Sequence, residues 1–285
     1  MSQGTSIGER LGFAPDDRLL IVNCDDLGSS HAANIAIAAA LREGVATSAT
    51  LMVPCPWALE AAGLCQGLDI GVHLTLTAEY PGYRWRALTG AKSLHNDLGF
   101  MPATADQVWA RADLADVRAE CRAQIDQALA WGVDATHLDA HMGTMQADPR
   151  FFEIYADLGA EYGLPLRMMS ESATRRLGFP ARDLAAQRGV TFTDHCIAPP
   201  WGVTARGTFV DRVPNLRPGV SEIFVHPVAD GPELRGYDLE AADLRAQDAA
   251  WVMESDIRAL VAAYGVKLLS FRPLRDLQRR TGRYV

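Results

Sequence analysis

The chain has few cysteines, and their positions exclude two common uses of this residue. Its 285 residues include five cysteines: Cys24, Cys55, Cys65, Cys121 and Cys196. None forms a C-x-x-C pair and their number is odd, which argues against both a zinc ribbon and a disulfide framework. We therefore expect reduced thiols, most of them packed inside the protein.

Long basic runs and long apolar runs are also lacking. The chain carries 27 basic and 35 acidic residues, a net charge of -8, without the electrostatic footprint of a protein that binds nucleic acid or anionic lipid. No segment reaches 18 uninterrupted apolar residues, and residues 1–17 lack the apolar core of a signal peptide. These absences predict a cytoplasmic protein with no nucleic-acid partner and no membrane insertion, for which a neutral or cationic small molecule is the easier partner.

What the sequence does contain is an alternation of short, β-branched apolar segments with longer segments of helical periodicity. This alternation is typical of βα units around a parallel sheet. The predicted strands are 18–24, 46–53, 69–76, 135–140, 165–169, 190–196, 221–228 and 266–271. The predicted helices are about 31–43, 56–66, 105–131, 148–162, 180–188 and 238–263.

The length allows one α/β barrel or two small domains. Two long connections, Thr77–Ala103 and Ala198–Gly219, interrupt the alternation and carry aromatic and basic residues, as lids and binding loops do. Each is too apolar for a disordered hinge, so we draw no domain boundary. The prediction is a flexible segment over residues 1–17 and a single (β/α)-barrel catalytic domain with parallel strands over residues 18–285, of fold class α/β.

Two adjacent carboxylates, Asp25 and Asp26, follow the first predicted strand and precede Gly28. Ligands of α/β folds bind beyond the carboxyl ends of the strands, so this position is typical of chemistry. The structural alternative is that Asp26 or Ser29 caps the helix that begins near His31. The pair alone does not decide between these interpretations.

Three further predicted strands end in polar residues. His73 lies in an apolar strand, where a hydrogen-bonded core histidine is the structural alternative, and His226 ends another strand. Alternation along a strand places His137, Asp139 and His141 on one face, and burying three titratable groups together needs a reason. A solvent-facing polar edge is the alternative there. Arg167 also ends a strand and can pair with a carboxylate.

One or two aspartates and two or more histidines at one barrel mouth form a mixed oxygen and nitrogen site. Such a site suits Zn²⁺, Co²⁺, Mn²⁺ or Ni²⁺ better than Ca²⁺. A metal there can leave positions open for water and substrate, lower the pKa of the water and polarise a carbonyl. A carboxylate that does not bind the metal could act as general base, and a histidine across the site as general acid.

Six segments in this order resemble the YdjC-like carbohydrate deacetylases, a family that includes chitooligosaccharide deacetylases and is related to the polysaccharide deacetylases. The resemblance covers nearly the whole chain. The segments are Val22-Asn23-Cys24-Asp25-Asp26-Leu27-Gly28-Ser29, Gly44-Val45-Ala46-Thr47-Ser48-Ala49-Thr50-Leu51-Met52-Val53, Gly71-Val72-His73-Leu74-Thr75-Leu76, Thr136-His137-Leu138-Asp139-Ala140-His141, Leu164-Pro165-Leu166-Arg167 and Glu222-Ile223-Phe224-Val225-His226-Pro227.

The resemblance implies a distorted (β/α) barrel and a role for each matching residue. A divalent metal would be held by Asp26, His73 and His141. Asp25 would be the general base, oriented by Arg167, and His226 the acid for the leaving amine. His137 and Asp139 would contact the substrate or support the ligands. The chain departs from many members after His141, where Met142-Gly143-Thr144-Met145 replaces further histidines.

The resemblance thus implies a metal-dependent hydrolase that removes the N-acetyl group from an N-acetylated sugar or oligosaccharide. Trp85 and Trp201 could stack on a sugar ring or pack against the barrel rim. The alternatives are a metal-dependent sugar isomerase or lyase on a similar barrel, which a lysine at a strand end would favour, and a non-catalytic carbohydrate-binding protein. The sequence leaves open the substrate, the metal (Zn²⁺, Mg²⁺, Co²⁺, Mn²⁺ or Ni²⁺) and whether a homodimer forms.

Overall fold

A curled parallel sheet lies at the centre of the protein, in a computed structural model that describes residues 6–281. Its strands are β1 (Arg18–Leu27), β2 (Ser48–Leu51), β3 (Ile70–Leu74), β4 (Leu138–Ala140), β5 (His195–Ile197), β6 (Gly219–Val225) and β7 (Lys267–Leu268). Their hydrogen-bonded order is β4-β3-β2-β1-β6-β5, with β7 paired to β1. Every pairing between them is parallel, as predicted.

The pairing continues around the sheet through two isolated bridges. Leu166 pairs with Leu138 on one side and with Phe192 on the other, both in parallel. Residue 192 leads directly into β5, so the backbone pairing passes from β4 around to β5. The α/β fold with a distorted, parallel-stranded barrel is therefore confirmed. The predicted strand 165–169 is represented only by these bridges at Leu166.

Helices surround the sheet, and the sequence located about half of them. They are α1 (Ile7–Arg10), α2 (His31–Arg42), α3 (Ala58–Leu64), α4 (Ala105–Arg111), α5 (Leu114–Ala130), α6 (Pro149–Glu161), α7 (Glu171–Leu177), α8 (Ala181–Gln187), α9 (Ala205–Arg212), α10 (Pro232–Tyr237), α11 (Ala242–Trp251), α12 (Ser255–Ala263) and α13 (Arg272–Thr281). Within residues 6–281, every helix is too short or too polar to cross a membrane.

Two predicted helices are each divided in the structure. The helix predicted over 105–131 breaks before Asp113, whose side chain accepts hydrogen bonds from the N–H groups of Ala115 and Asp116 and so begins α5. The helix predicted over 238–263 separates into α11 and α12. The connection 198–219, predicted as a loop, contains α9. The break at Asp113 shows how a local cap interrupts a periodicity that continues in the sequence.

Part of the predicted flexible segment 1–17 is packed against the sheet. Helix α1 has a capping box between Ser6 and Glu9, and Ile7 is 8% exposed. Ile7 belongs to a small apolar cluster with Leu19 of β1 and Phe271. Residues 1–5 of this segment lie outside the described residues, and the division into this segment and one domain stays a prediction.

The loop that follows β3 is held by helix α5, and this positions one edge of the barrel mouth. Gln124 accepts a hydrogen bond from Thr75 N–H and donates one to Thr75 C=O. Glu120 accepts from the N–H groups of Leu88 and Thr89. Both side chains are fully buried, so each is paired with backbone groups of the loop. All five cysteines are free, as predicted.

Candidate metal and catalytic site

Strand β1 ends in the two predicted carboxylates, and its backbone is distorted there. Asp26 has a φ of 66°, and the register with β2 shifts between Cys24 and Leu27. A left-handed conformation outside glycine costs about 1–3 kcal/mol and is found at functional sites, although aspartate tolerates it better than most residues. The distortion turns the two carboxylates apart, so that Asp26 faces two histidines and Asp25 faces Arg167.

Asp26, His73 and His141 converge at the mouth of the barrel, and we call these three residues the Asp-His-His group. Nε2 of His73 lies 3.4 Å from Oδ1 of Asp26, and Nδ1 of His141 lies 3.2 Å from the same oxygen. One ligand atom from each residue lies within 4.8 Å of the others, and all three residues are buried. Three separate strands deliver them, because Asp26 ends β1, His73 lies in β3 and His141 follows β4.

The Asp-His-His group fits a divalent cation. Oδ1 of Asp26 is buried, and within residues 6–281 the nearest donors, Nδ1 of His141 at 3.2 Å and Nε2 of His73 at 3.4 Å, approach it without the geometry of a hydrogen bond. A buried carboxylate oxygen that is only loosely contacted is costly, and a cation bound between it and the imidazoles would remove that cost. One carboxylate oxygen and two imidazole nitrogens form a donor set that zinc and related metals use. These residues could therefore hold a metal ion.

A second carboxylate lies behind each histidine of this group. Oδ2 of Asp139 is 2.8 Å from Nδ1 of His73, and Oε2 of Glu79 is 3.0 Å from Nε2 of His141. Burial lowers the pKa of both histidines, but the carboxylates outweigh it and raise the pKa to about 9 for His73 and about 10 for His141. Because a metal binds neutral imidazole, binding at this group would release protons. Such carboxylates also fix the orientation of ligating histidines.

Arg167 holds the carboxylate of Asp25 by two hydrogen bonds. Its Nη1 and Nη2 donate hydrogen bonds of 2.6 and 2.8 Å to the two carboxylate oxygens, and Asn23 adds one of 2.8 Å. Arg167 also donates to Asp139 and, through Nε at 2.7 Å, to Glu222. Burial raises the pKa of Glu222 to about 7 in spite of this contact. Asp25 is thus held in one orientation beside the Asp-His-His group.

His226 lies across the mouth, within reach of Asp25. Nε2 of His226 is 3.9 Å from Oδ2 of Asp25, and the His226 side chain is 21% exposed. Its backbone N–H donates to Oδ2 of Asp248 at 3.1 Å, which fixes the end of β6. Burial lowers the pKa of His226, against the opposing influence of Asp26 and Asp25. An imidazole near a carboxylate and partly open to solvent can exchange a proton with both.

The two predicted tryptophans occupy different environments. Trp201 is 71% exposed, its ring centroid lies 5.7 Å from that of His226, and it lines a small cavity of about 40 Å³ together with Phe224. Trp85 is only 3% exposed and donates its Nε1–H to the carbonyl of Thr77 at 2.7 Å. Trp201 therefore stands at the opening of the site, whereas Trp85 packs inside the rim.

His137, which the resemblance implies would contact the substrate or support the ligands, lies in the protein core. It is fully buried and stacks on Phe271, with ring centroids 3.8 Å apart and an interplanar angle of 12°. Burial, reinforced by the charge of Arg167, lowers its pKa well below the usual value. His137 is thus a neutral core residue in this structure, whereas Asp139 of the same strand contacts His73.

Sequence reasoning missed two charged residues of the site. Glu79 lies in the loop after β3, and its only sequence signal is that it follows the strand of His73. Arg245 lies within α11, and its Nη1 donates to Oδ2 of Asp26 at 2.7 Å. A charged residue on a helix gives no such signal, because the site pattern in the sequence is carried by strand ends. Only the packing of α11 against the mouth shows its role.

The chain is similar in sequence to a known family and to several of its members. A family model described as YdjC-like protein matches residues 19–263. A carbohydrate deacetylase of Thermus thermophilus is 33% identical over 275 residues, which cover 94% of this chain and 97% of that protein. A carbohydrate deacetylase of Geobacillus stearothermophilus is 30% identical over 260 residues, covering 90% of this chain and 97% of that protein.

A solved structure supports the fold. The crystal structure of a putative cellobiose-phosphate cleavage protein from Enterococcus faecalis V583 superimposes with a TM-score of 0.79. The alignment covers 90% of this chain and 99% of that one, at 23% sequence identity. At this identity the similarity shows a shared fold, and it agrees with the curled parallel sheet described above.

Proposed function

The chain belongs to the YdjC-like family, and on that premise we propose that it is a metal-dependent carbohydrate deacetylase. It removes the acetyl group from the amide nitrogen of an N-acetylated sugar or oligosaccharide, releasing acetate and an amino sugar. The observation that carries the proposal is the convergence of Asp26, His73 and His141 beside an arginine-held Asp25. The names of the relatives in Thermus and Geobacillus support the substrate class.

Asp26, His73 and His141 would hold the metal ion. A divalent cation bound there supplies Lewis acidity, which polarises the acetyl carbonyl and lowers the pKa of water. Asp139 and Glu79 orient the two histidines from behind.

Asp25 and His226 divide the proton transfers. Asp25 accepts the proton of the attacking water, and Arg167 and Asn23 hold its carboxylate in place for that step. His226 delivers a proton to the leaving amine nitrogen. Oδ2 of Asp25 and Nε2 of His226 are 3.9 Å apart, beyond a direct hydrogen bond, so the proton that Asp25 accepts would reach His226 through one water or the substrate.

The surroundings of the mouth favour a neutral ring as substrate. Trp201 presents an exposed aromatic face next to His226, where a sugar ring can stack. The small cavity beside Trp201 and Phe224 lies on the same side.

An isomerase or lyase is the weaker alternative because it calls for a lysine at a strand end. The chain has two lysines, Lys92 and Lys267. Lys92 lies in a 3₁₀ turn of the long loop, and Lys267 pairs with Asp17 at 2.7 Å, at the start of β1 and away from Asp26 at its end. A non-catalytic protein is also less favoured, because Asp25, Asp26, His73, His141 and His226 all lie together at the barrel mouth.

The decisive experiment combines metal analysis with acetate release. The purified protein should contain or take up one divalent metal per chain and should release acetate from N-acetyl monosaccharides or oligosaccharides. His73→Ala and His141→Ala should lose the metal and the activity together. His31→Ala is the matched control, because this exposed histidine pairs with Glu60 outside the site and should change neither.

Two results would contradict the proposal. Full metal occupancy in both histidine variants would show that the ligands are wrong. Stoichiometric metal with no acetate release from any N-acetyl sugar would leave a binding protein or a different hydrolase.

A further inference from the structure

Arg245 is a buried arginine of the site for which the proposed reaction has no role. It lies on helix α11, is 5% exposed, and its Nη1 donates to Oδ2 of Asp26 at 2.7 Å. The other oxygen of Asp26, Oδ1, is the one that faces His73 and His141. The two oxygens of this carboxylate therefore have different environments.

The guanidinium of Arg245 is anchored by two further groups. Its Nε donates to Oδ2 of Asp238 at 2.8 Å, and its Nη2 donates to Oη of Tyr80 at 2.9 Å. Asp238 is itself held, since its Oδ1 accepts from the N–H of Ala241 at 2.8 Å. All three nitrogens of the rigid guanidinium fork are thus engaged, and its position is set by groups other than Asp26.

Because Oδ2 of Asp26 accepts a hydrogen bond from this anchored guanidinium, only Oδ1 is available to bind a metal ion. Binding a metal through both oxygens would require Oδ2 to give up a buried, charge-assisted hydrogen bond, which is among the stronger contacts in proteins. Oδ1 of Asp26 faces the histidines while Oδ2 is held by Arg245, so this contact keeps the carboxylate from rotating away.

We propose that Arg245 is a positioning residue that holds Asp26 as a single-oxygen ligand between His73 and His141, and so sets the affinity and the coordination geometry of the metal. This inference rests on the proposed function, because it requires that the Asp-His-His group bind a metal. The role of Arg245 differs from that of Arg167, which holds the proposed general base Asp25.

The test uses Co²⁺ as the probe and measures binding by calorimetry and by the visible absorption of the bound ion. Arg245→Met removes all three hydrogen bonds while keeping much of the apolar stem. We expect the metal-free variant to bind Co²⁺ about 10–100-fold more weakly, the usual effect of losing a group that orients a ligand. The absorption bands should also change, because a second oxygen of Asp26 can enter the coordination sphere. Arg245→Lys keeps the charge and one contact, and its affinity should lie in between.

Arg275→Met is the matched control. Arg275 is also buried, at 6% exposure, and its Nη1 donates to Asp134 at 2.7 Å and to the carbonyl of Ala135 at 3.1 Å, at the amino end of β4. This variant loses a comparable buried arginine away from the mouth. It should bind Co²⁺ with wild-type affinity and spectrum even if its melting temperature falls.

Each outcome separates this inference from the proposed function. A wild-type protein that binds no Co²⁺ would overturn the metal site and the role of Arg245 with it. The wild type could instead bind Co²⁺ while Arg245→Met binds it equally or more tightly and with the same spectrum. That result would overturn the role of Arg245 alone. If Arg245→Met does not fold, Arg245→Lys carries the test, and wild-type affinity and spectrum there would contradict the proposal.

Discussion

The two adjacent aspartates of β1 have different surroundings, and on the proposed function they have different tasks. Asp25 is held by Arg167 and Asn23, whereas Asp26 faces two histidines and Arg245. Neighbouring residues on an extended chain point apart, and the positive φ of Asp26 increases this separation. One dipeptide can therefore supply both a base and a metal ligand.

Asp25→Asn tests this division. The variant should keep its metal, because Asp25 is not part of the Asp-His-His group, and should lose activity by roughly 10²–10⁴-fold, the usual share of general acid–base catalysis. The measurements are kcat on an N-acetyl oligosaccharide and metal content by elemental analysis. Asp134→Asn, which alters an exposed aspartate paired with Arg272, is the control and should retain activity. Metal loss in Asp25→Asn would make Asp25 a ligand instead.

The tryptophans give a second prediction, in which the same substitution affects catalysis at one position and stability at the other. Trp201→Ala should lower kcat/KM for a sugar substrate, with a loss of transition-state stabilisation of about 1–2 kcal/mol, because a stacking face is removed. Its free energy of unfolding should stay nearly unchanged. Trp85→Ala should instead lower the free energy of unfolding by about 3–5 kcal/mol, because it empties a buried site. Kinetics and urea unfolding of both variants provide the check. Wild-type kcat/KM in Trp201→Ala would make that residue irrelevant to substrate binding.

At the scale of elements, β3 and β4 bring His73 and Asp139 into register and leave little space between them. Gly71 of β3 lies against His137: a Cβ at this position would be 2.5 Å from Nδ1 of His137 and 2.7 Å from its carbonyl oxygen. A larger residue would push apart the two strands that deliver His73 and His141. The glycine is therefore needed for close approach of the strands.

Gly71→Ala should lower the free energy of unfolding by about 1–3 kcal/mol, the usual cost of overpacking a core. Urea unfolding gives this value directly. Gly63→Ala is the control, because nothing lies within 4 Å of a Cβ there and the position is helical; its stability should be unchanged or up to about 1 kcal/mol higher. Equal stability of Gly71→Ala and the wild type would show that β3 and β4 adjust more easily than the structure implies.

Elements with a strong local signal were predicted well, and those whose ends depend on contacts were not. Helices α2 and α6 lie within the predicted spans 31–43 and 148–162. The predicted helix 105–131 was too long, because Asp113 begins a new helix within it. The predicted strand 165–169 was also too long, because at that point only Leu166 pairs with its neighbours on both sides.

At the scale of the whole molecule, the Asp-His-His group ties three strands together, so metal binding should stabilise the fold. If the metal binds only the folded state, a 100-fold excess over its Kd adds about 2.7 kcal/mol to the free energy of unfolding. In thermal unfolding, Zn²⁺ should raise the Tm of the wild type and leave the Tm of His73→Ala unchanged. A shift of equal size in His73→Ala would place the stabilising ion elsewhere.

The sequence by itself determined the α/β class, the parallel barrel, the family resemblance and the titratable residues at strand ends, because strand periodicity and strand-end residues are local patterns. It identified Asp25, Asp26, His73, His141, Arg167 and His226, all of which the structure brings to one mouth. Only the tertiary structure decided that His137 is a core residue, that Trp85 is packed and that Trp201 is exposed. It alone placed Glu79 and Arg245 at the site, because a loop and a helix reach the mouth through long-range packing that leaves no periodic signal in the chain.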